Sequence, residues 1–246
     1  PMTAKVQRWC AWSGIVFLVM FGIGFCVVAG LVPPPSPNDS AQQIADFYSQ
    51  HTNLIRAGLL ISIFGVPLAF PFVIVISMQM RRIEGSVAPL SYIQLTTGTV
   101  GTLIFGFPLM MMQAAAFRPG QRSIEVTQGL SDAAWLPFVG LISLAIVQNV
   151  AIAVAIFNDT RPDPVFPRWL GYFNIWVALG FVPGGFTVFF KTGPFAWDGV
   201  FAFWVPLVVF SVWSVVMLVA LLKAIGQEER EQQLPTGVPA REPELA

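Results

Sequence analysis

Charge is scarce in this chain. Only 11% of its 246 residues are Asp, Glu, Lys or Arg, against 55% hydrophobic. A soluble domain carries about 25% charged residues and needs them to coat its surface. The shortage excludes a soluble globular domain, a disordered chain and a nucleic-acid binder built on a basic face. The 13 basic and 13 acidic residues cancel, so no attraction to a polyanion follows. Histidine is scarcer still, with His51 the one copy. Membrane oxygenases and desaturases need many imidazole ligands, so that class is excluded. The single histidine is accompanied by no Gly-x-Ser-x-Gly elbow, which removes the usual serine hydrolase. The two cysteines, Cys10 and Cys26, stand sixteen positions apart. On one helix that is roughly 24 Å by helical rise, whereas a disulfide needs Cα atoms within about 7 Å. They read as small apolar packing residues.

Apolar sequence is plentiful, and it comes in blocks. A spanning helix needs about 20 apolar residues. Six runs qualify: 11–32, 54–78, 92–112, 134–157, 169–190 and 201–225. None carries an acid or base inside, apart from Arg56 and Lys223 near their ends, where long side chains can reach the headgroups. The first run is too long for the apolar core of a signal peptide and lacks a polar start after it, so it reads as a retained helix. The fold expected is therefore all-α and integral to the membrane. Residues 1–225 form a six-helix domain, and 226–246 a cytoplasmic, largely disordered tail whose first part, 227–233, prolongs the last helix.

The basic residues orient these spans. One side collects Lys5, Arg8, Arg81, Arg82, Arg161, Arg168, Lys223, Arg230 and Arg241, and the other only Arg56, Arg118, Arg122 and Lys191. Positive residues favour the cytoplasm, which predicts both termini inside a bacterial plasma membrane.

Two loops on the expected outer side stand out. Pro33-Pro34-Pro35-Ser36-Pro37 is a stiff exit from the first span. Ser40 with Gln43 then makes a capping box. Ile44, Phe47, Tyr48, His51, Leu54 and Ile55 follow at helical spacing, predicting a short external amphipathic helix between spans one and two. It reads either as an interfacial helix lying on the bilayer or as a lid whose polar contacts are Tyr48 and His51. The second loop alternates Gly and Pro with large aromatics from Phe181 to Gly199. Pro183-Gly184-Gly185 predicts a break in span five. It reads either as a binding-site border or as an aromatic belt around a turn.

Further breakers are Pro67 and Pro71 in span two, Gly98, Gly101, Gly106 and Pro108 in span three, and Pro206 in span six. Thr97 with Gly101, and Gly98 with Thr102, are small-xxx-small pairs that let helices approach. Kinks in the outer half predict a void lined by Phe, Met and Trp, suited to a lipid or other apolar molecule. The residues expected to serve such a ligand are Tyr48, His51, Phe107, Met111, Pro183, Phe186, Trp197 and Trp204. Met110-Met111-Met112 is no copper site, because consecutive helical residues point about 100° apart. Gln94, Gln148, Asn149 and Asn174 are expected to hydrogen-bond across helices. No span carries an interior carboxylate, which disfavours proton pumping.

Phe47-Tyr48-x-x-His51, leading into a span that ends at Arg81-Arg82, forms one recognisable stretch. Pro167-Arg168-Trp169-Leu170-Gly171-Tyr172 is another. Together they resemble a loose group of small six-span actinobacterial membrane proteins of uncharacterised function. The resemblance implies six helices and an inner-membrane home, and brings no catalytic residues.

The expected function is a multi-pass protein that binds an apolar ligand or lipid, serves as a non-catalytic accessory subunit of a membrane complex, or does both. A facilitator or transporter of a small apolar compound is the alternative, and a membrane enzyme the third reading. No cofactor, metal or nucleic acid is expected. Membrane lipids are expected as partners, and so is a membrane-protein partner, a second copy or an apolar small molecule.

Overall fold

The computed structural model describes residues 2–233. Among these, all regular structure is helical. α1 (Met2–Phe21) continues as a π-helical stretch, Gly22–Val28. α2 (Ala41–Gln50) follows, then α3 (Thr52–Gly65), a 3-10 turn (Val66–Leu68) and α4 (Ala69–Glu84). α5 is Pro89–Phe117, α6 Ile124–Gly140 and α7 Ser143–Phe157. α8 (Arg168–Phe181) runs into a 3-10 segment, Val182–Phe189. A π-helical turn, Val200–Trp204, opens α9 (Val205–Gln233).

These elements join into six helices long and apolar enough to cross a bilayer: Thr3–Val28, Thr52–Glu84, Pro89–Phe117, Ile124–Phe157, Arg168–Phe189 and Val200–Gln233. The architecture is that of a multi-pass membrane protein. The bundle has a terminal end, carrying the start of α1 and the end of α9, and a capped end, across which α2 lies.

Proline, which removes a backbone donor and crowds the preceding turn, sits at or near three of the breaks. Pro67 sits in the 3-10 turn that divides span two, and Pro183 opens the 3-10 segment ending span five. Span four, expected as one rod, is two helices. Pro137 lies in the last turn of α6, and Leu141 leaves the helix at φ −83°, ψ 59°. The Ile142 amide then turns back to the Gly140 carbonyl at 2.9 Å. Span three, rich in glycine, does the opposite: α5 runs as one helix of 29 residues through Pro108.

Helices in a bilayer associate by close packing rather than by the hydrophobic effect. The tightest crossing joins the end of span one to α3. A methyl group on Gly58 would lie 2.7 Å from the Ala29 Cβ, and one on Gly24 would meet the Gly58 carbonyl. Ser62, one turn after Gly58, gives its hydroxyl proton to the Gly58 carbonyl at 2.9 Å. Deeper in the bundle, Asn174 of α8 accepts from the Trp213 indole of α9 at 3.0 Å. This is the cross-helix amide bond expected of it.

A polar lock closes the terminal end. Buried Gln79 of α4 donates to Gln7 of α1 at 2.7 Å and to Glu228 of α9 at 2.9 Å. Arg82 donates to Gln79 at 2.7 Å and pairs with Glu231 at 2.7 Å. Arg8 pairs with Glu229. Residues 226–233 thus prolong α9, as expected, and their side chains bind back onto α1 and α4. The remainder of the expected tail, 234–246, lies outside the described residues.

Replacing Gly58 by Ala should overpack the crossing and cost about 1–3 kcal/mol. Gly22→Ala, at a position facing open space, should change little. Thermal unfolding in detergent compares the two, and equal midpoints would refute the crossing.

Candidate ligand-binding sites

The capped half of the bundle is filled by aromatic rings. Phe25 of span one stacks on Phe138 of α6 with ring centroids 5.1 Å apart, and Phe138 stacks on Phe105 of α5 at 4.8 Å. Phe21 joins Phe25 at 5.1 Å and Phe105 at 5.0 Å. Trp135 meets Phe25 and Phe203 edge-on. Offset and edge-to-face pairs are the favoured aromatic geometries. The space that kinks were expected to leave empty is occupied by this stack, contributed by spans one, three, four and six.

Above the stack lies α2, held by the capping box foreseen from Ser40 and Gln43. The Ser40 amide donates to the Gln43 side chain at 2.8 Å, and Ser40 Oγ accepts from the Gln43 amide at 3.3 Å. The helix turns Ile44 and Tyr48 into the protein, burying both, against α6. His51 is exposed where α2 gives way to α3. Of the two polar contacts imagined for a lid, one therefore points in and the other into the surroundings.

Beneath α2 sit polar atoms with no hydrogen-bond partner among the described residues: the Tyr48 and Ser131 hydroxyls and the Trp135 indole N–H. Ser131 and Trp135 are one turn apart on α6. Tyr48 is 1% exposed and the other two are fully buried. Burial pushes the Tyr48 phenol up to about 12, and Asp132 adds to the rise.

The second feature is a groove on the flank of the bundle, between α3 and α5. It measures about 660 Å³ and is lined by Asn53, Arg56, Ala57, Leu60 and Ile63 from α3, with Met110, Gln113, Ala114 and Phe117 from α5. The residues of each helix recur at three and four spacing, so each set is one helix face. Ala57 and Ala114 are its least bulky lining residues, and Leu60 and Phe117, both exposed, are among its bulkiest. Gln113 donates to the Arg56 carbonyl at 2.9 Å, tying α3 to α5. The face from Asn53 to Ile63 spans about 15 Å by helical rise, near half of a bilayer core of about 30 Å. A smaller groove of about 270 Å³ lies at the terminal end between α1 and α4.

The eight residues expected to serve a ligand do not form one site. Tyr48, Met111 and Trp197 join the aromatic core of the capped half. Trp197 is anchored there, its indole donating to the Pro35 carbonyl at 2.8 Å. His51, Phe107, Phe186 and Trp204 are exposed and Pro183 is half-buried. None of the eight lines the groove. Its signal was present in sequence as Asn53-x-x-Arg56-Ala57-x-x-Leu60 and Met110-x-x-Gln113-Ala114-x-x-Phe117, an alanine beside a polar residue on each helix.

At the terminal end, Asp159 holds the turn between α7 and α8. It accepts from the Arg161 side chain at 2.8 and 2.9 Å and from the Val165 amide at 2.9 Å. Burial opposes its charge, yet these donors outweigh it and hold the carboxyl below its ordinary range. Among the described residues no group of three or more His, Cys, Asp or Glu could hold a metal ion.

The raised Tyr48 value fixes a pH dependence. The folded state keeps the phenolic proton more tightly than the ordinary value of 10.0. The associated stability is complete below pH 10 and is lost as pH climbs towards about 12, to a total of roughly 2–3 kcal/mol. Tyr48→Phe should be at least as stable at neutral pH, since it removes an unpartnered hydroxyl. It should also flatten that alkaline loss. Unfolding midpoints measured from pH 8 to 12 check both, and an unchanged alkaline slope would place the phenol in water.

The chain was compared with protein-family models, with curated proteins and with solved structures, and nothing matches it.

Proposed function

We propose that this is a plasma-membrane lipid-binding protein that does no chemistry of its own and seats an acyl chain in the groove between α3 and α5. The observation that carries the reading is the groove itself. Its volume, about 660 Å³, falls within the usual range for ligand sites, about 300–1,000 Å³. Its walls are apolar for the depth of one leaflet, and its polar groups, Asn53, Arg56 and Gln113, gather at the capped end. The aromatic stack leaves the flank, rather than the interior, as the place for an apolar ligand. The capped end faces outward and both termini face the cytoplasm. Lys5, Arg8, Arg81, Arg82, Arg161, Arg168 and Lys223 gather at the terminal end, the side that positive residues prefer.

Filling the groove tests the function. The variant Ala57→Phe/Ala114→Phe should retain at least fivefold less lipid than the native chain when gently extracted protein is weighed by native mass spectrometry. A native chain that emerges free of lipid would end the reading. Loss of a bound protein instead of a lipid would replace it with an accessory-subunit role.

Topology is tested by labelling single cysteines in a Cys10→Ala/Cys26→Ala background. Gly120→Cys should react with an impermeant maleimide from outside intact cells, and Gln233→Cys only after lysis. Labelling of both from one side would defeat the six-span arrangement.

A further inference from the structure

The groove is apolar along its length, but its mouth is cationic. Arg56 lies over the Phe117 ring with its guanidinium carbon 5.8 Å from the centroid. Arg118 lies over the same ring, also at 5.8 Å. The two cations are therefore at most twice that distance apart, gathered around one aromatic side chain that forms the groove's rim. Both are exposed. Among the described residues neither enters an ion pair; the pairs present engage Arg8, Arg82 and Arg161. Arg122, close in sequence, is occupied, donating to the Ala114 carbonyl at 2.7 Å.

We propose that the lipid held in this groove is a net-negative phospholipid, its phosphate bound between Arg56 and Arg118 and one acyl chain lying over Ala57 and Ala114. The assignment rests on the lipid-binding reading above and adds the headgroup chemistry to it. An arginine fork matches a phosphate in bidentate fashion, and two forks beside one rim match it from two directions. A zwitterionic headgroup would bring its own cation towards the same two arginines, whereas a glycerol headgroup brings only hydroxyls. Asn53 and Gln113 at the mouth are suited to such hydroxyls. A free phosphate would use the arginines but leave the apolar walls, Leu60, Ile63 and Met110, without a partner. The Phe117 ring keeps both guanidinium groups near the groove by cation–π attraction, which reduces the side-chain ordering that binding requires.

The full chain, stripped of lipid in mild detergent, is titrated with phosphatidylglycerol, with phosphatidylcholine and with inorganic phosphate, and occupancy is read by native mass spectrometry. The native chain should hold phosphatidylglycerol at least fivefold better than phosphatidylcholine, and inorganic phosphate should not displace it. Arg56→Gln/Arg118→Gln should lose that preference while keeping its phosphatidylcholine occupancy and its helical circular dichroism. Arg56→Lys/Arg118→Lys should keep part of the preference. Equal occupancy by both lipids in the native chain, or an unchanged preference in the glutamine variant, overturns the headgroup assignment and leaves the groove standing. Displacement by inorganic phosphate overturns it in favour of a soluble anion site. Failure to hold either lipid overturns the lipid-binding reading itself.

Discussion

A peptide group inside hydrocarbon must find a hydrogen-bond partner within the protein. Every departure from regular helix in this bundle is shaped by that demand. Proline frees carbonyls in spans two, four and five, and the chain answers with tighter or wider turns rather than open loops. The breaks in spans four, five and six gather at the capped end, where Gly184 lets the Val139 carbonyl approach too closely for any side chain. Beside them the Pro194 carbonyl accepts from the Phe201 and Ala202 amides. The irregular backbone is thus concentrated where other irregular backbone can satisfy it.

That concentration decides what fills the capped half. Broken helices splay, and wide side chains must take up the room. Phenylalanines from four spans interleave there, and Trp197 fastens the loop between spans five and six to the exit from span one. The interior becomes dense, and the concave surface moves to the flank, where α3 and α5 each present an alanine to the same groove. The few polar atoms sealed beneath α2 are the cost of packing that helix onto α6.

Much of this was legible in the sequence. Long apolar runs dictate six spans, because no other structure buries them. The capping box of α2 follows from Ser40 and Gln43, and the breaks at Pro67 and Pro183 follow from the missing donor. The break in span four was not legible as a break, since Pro137 and Gly140 lie in an apolar run like the one α5 carries through Pro108 unbroken; what differs is the company each run keeps. The tight crossing at Gly24 and Gly58 was hidden for a related reason. Small residues are frequent in all six spans, and only packing selects the pair that touches. The groove escaped notice because it is made by the absence of side-chain bulk at Ala57 and Ala114, which no list of chemically active residues contains. Pattern put Tyr48 and His51 on one helix face, and it could not say that His51, three residues on, would be exposed while Tyr48 is buried.

The lock at the terminal end has a consequence for the order of events in biogenesis. Gln7 and Gln79 belong to spans one and two, and Glu228, which they share, belongs to span six, which follows them along the chain. Until α9 arrives these amides lack the carboxylate they finally hold. The crossing at Gly24 and Gly58 and the Gln7–Gln79 bond already join spans one and two, so the end of α9 completes this lock rather than starting it.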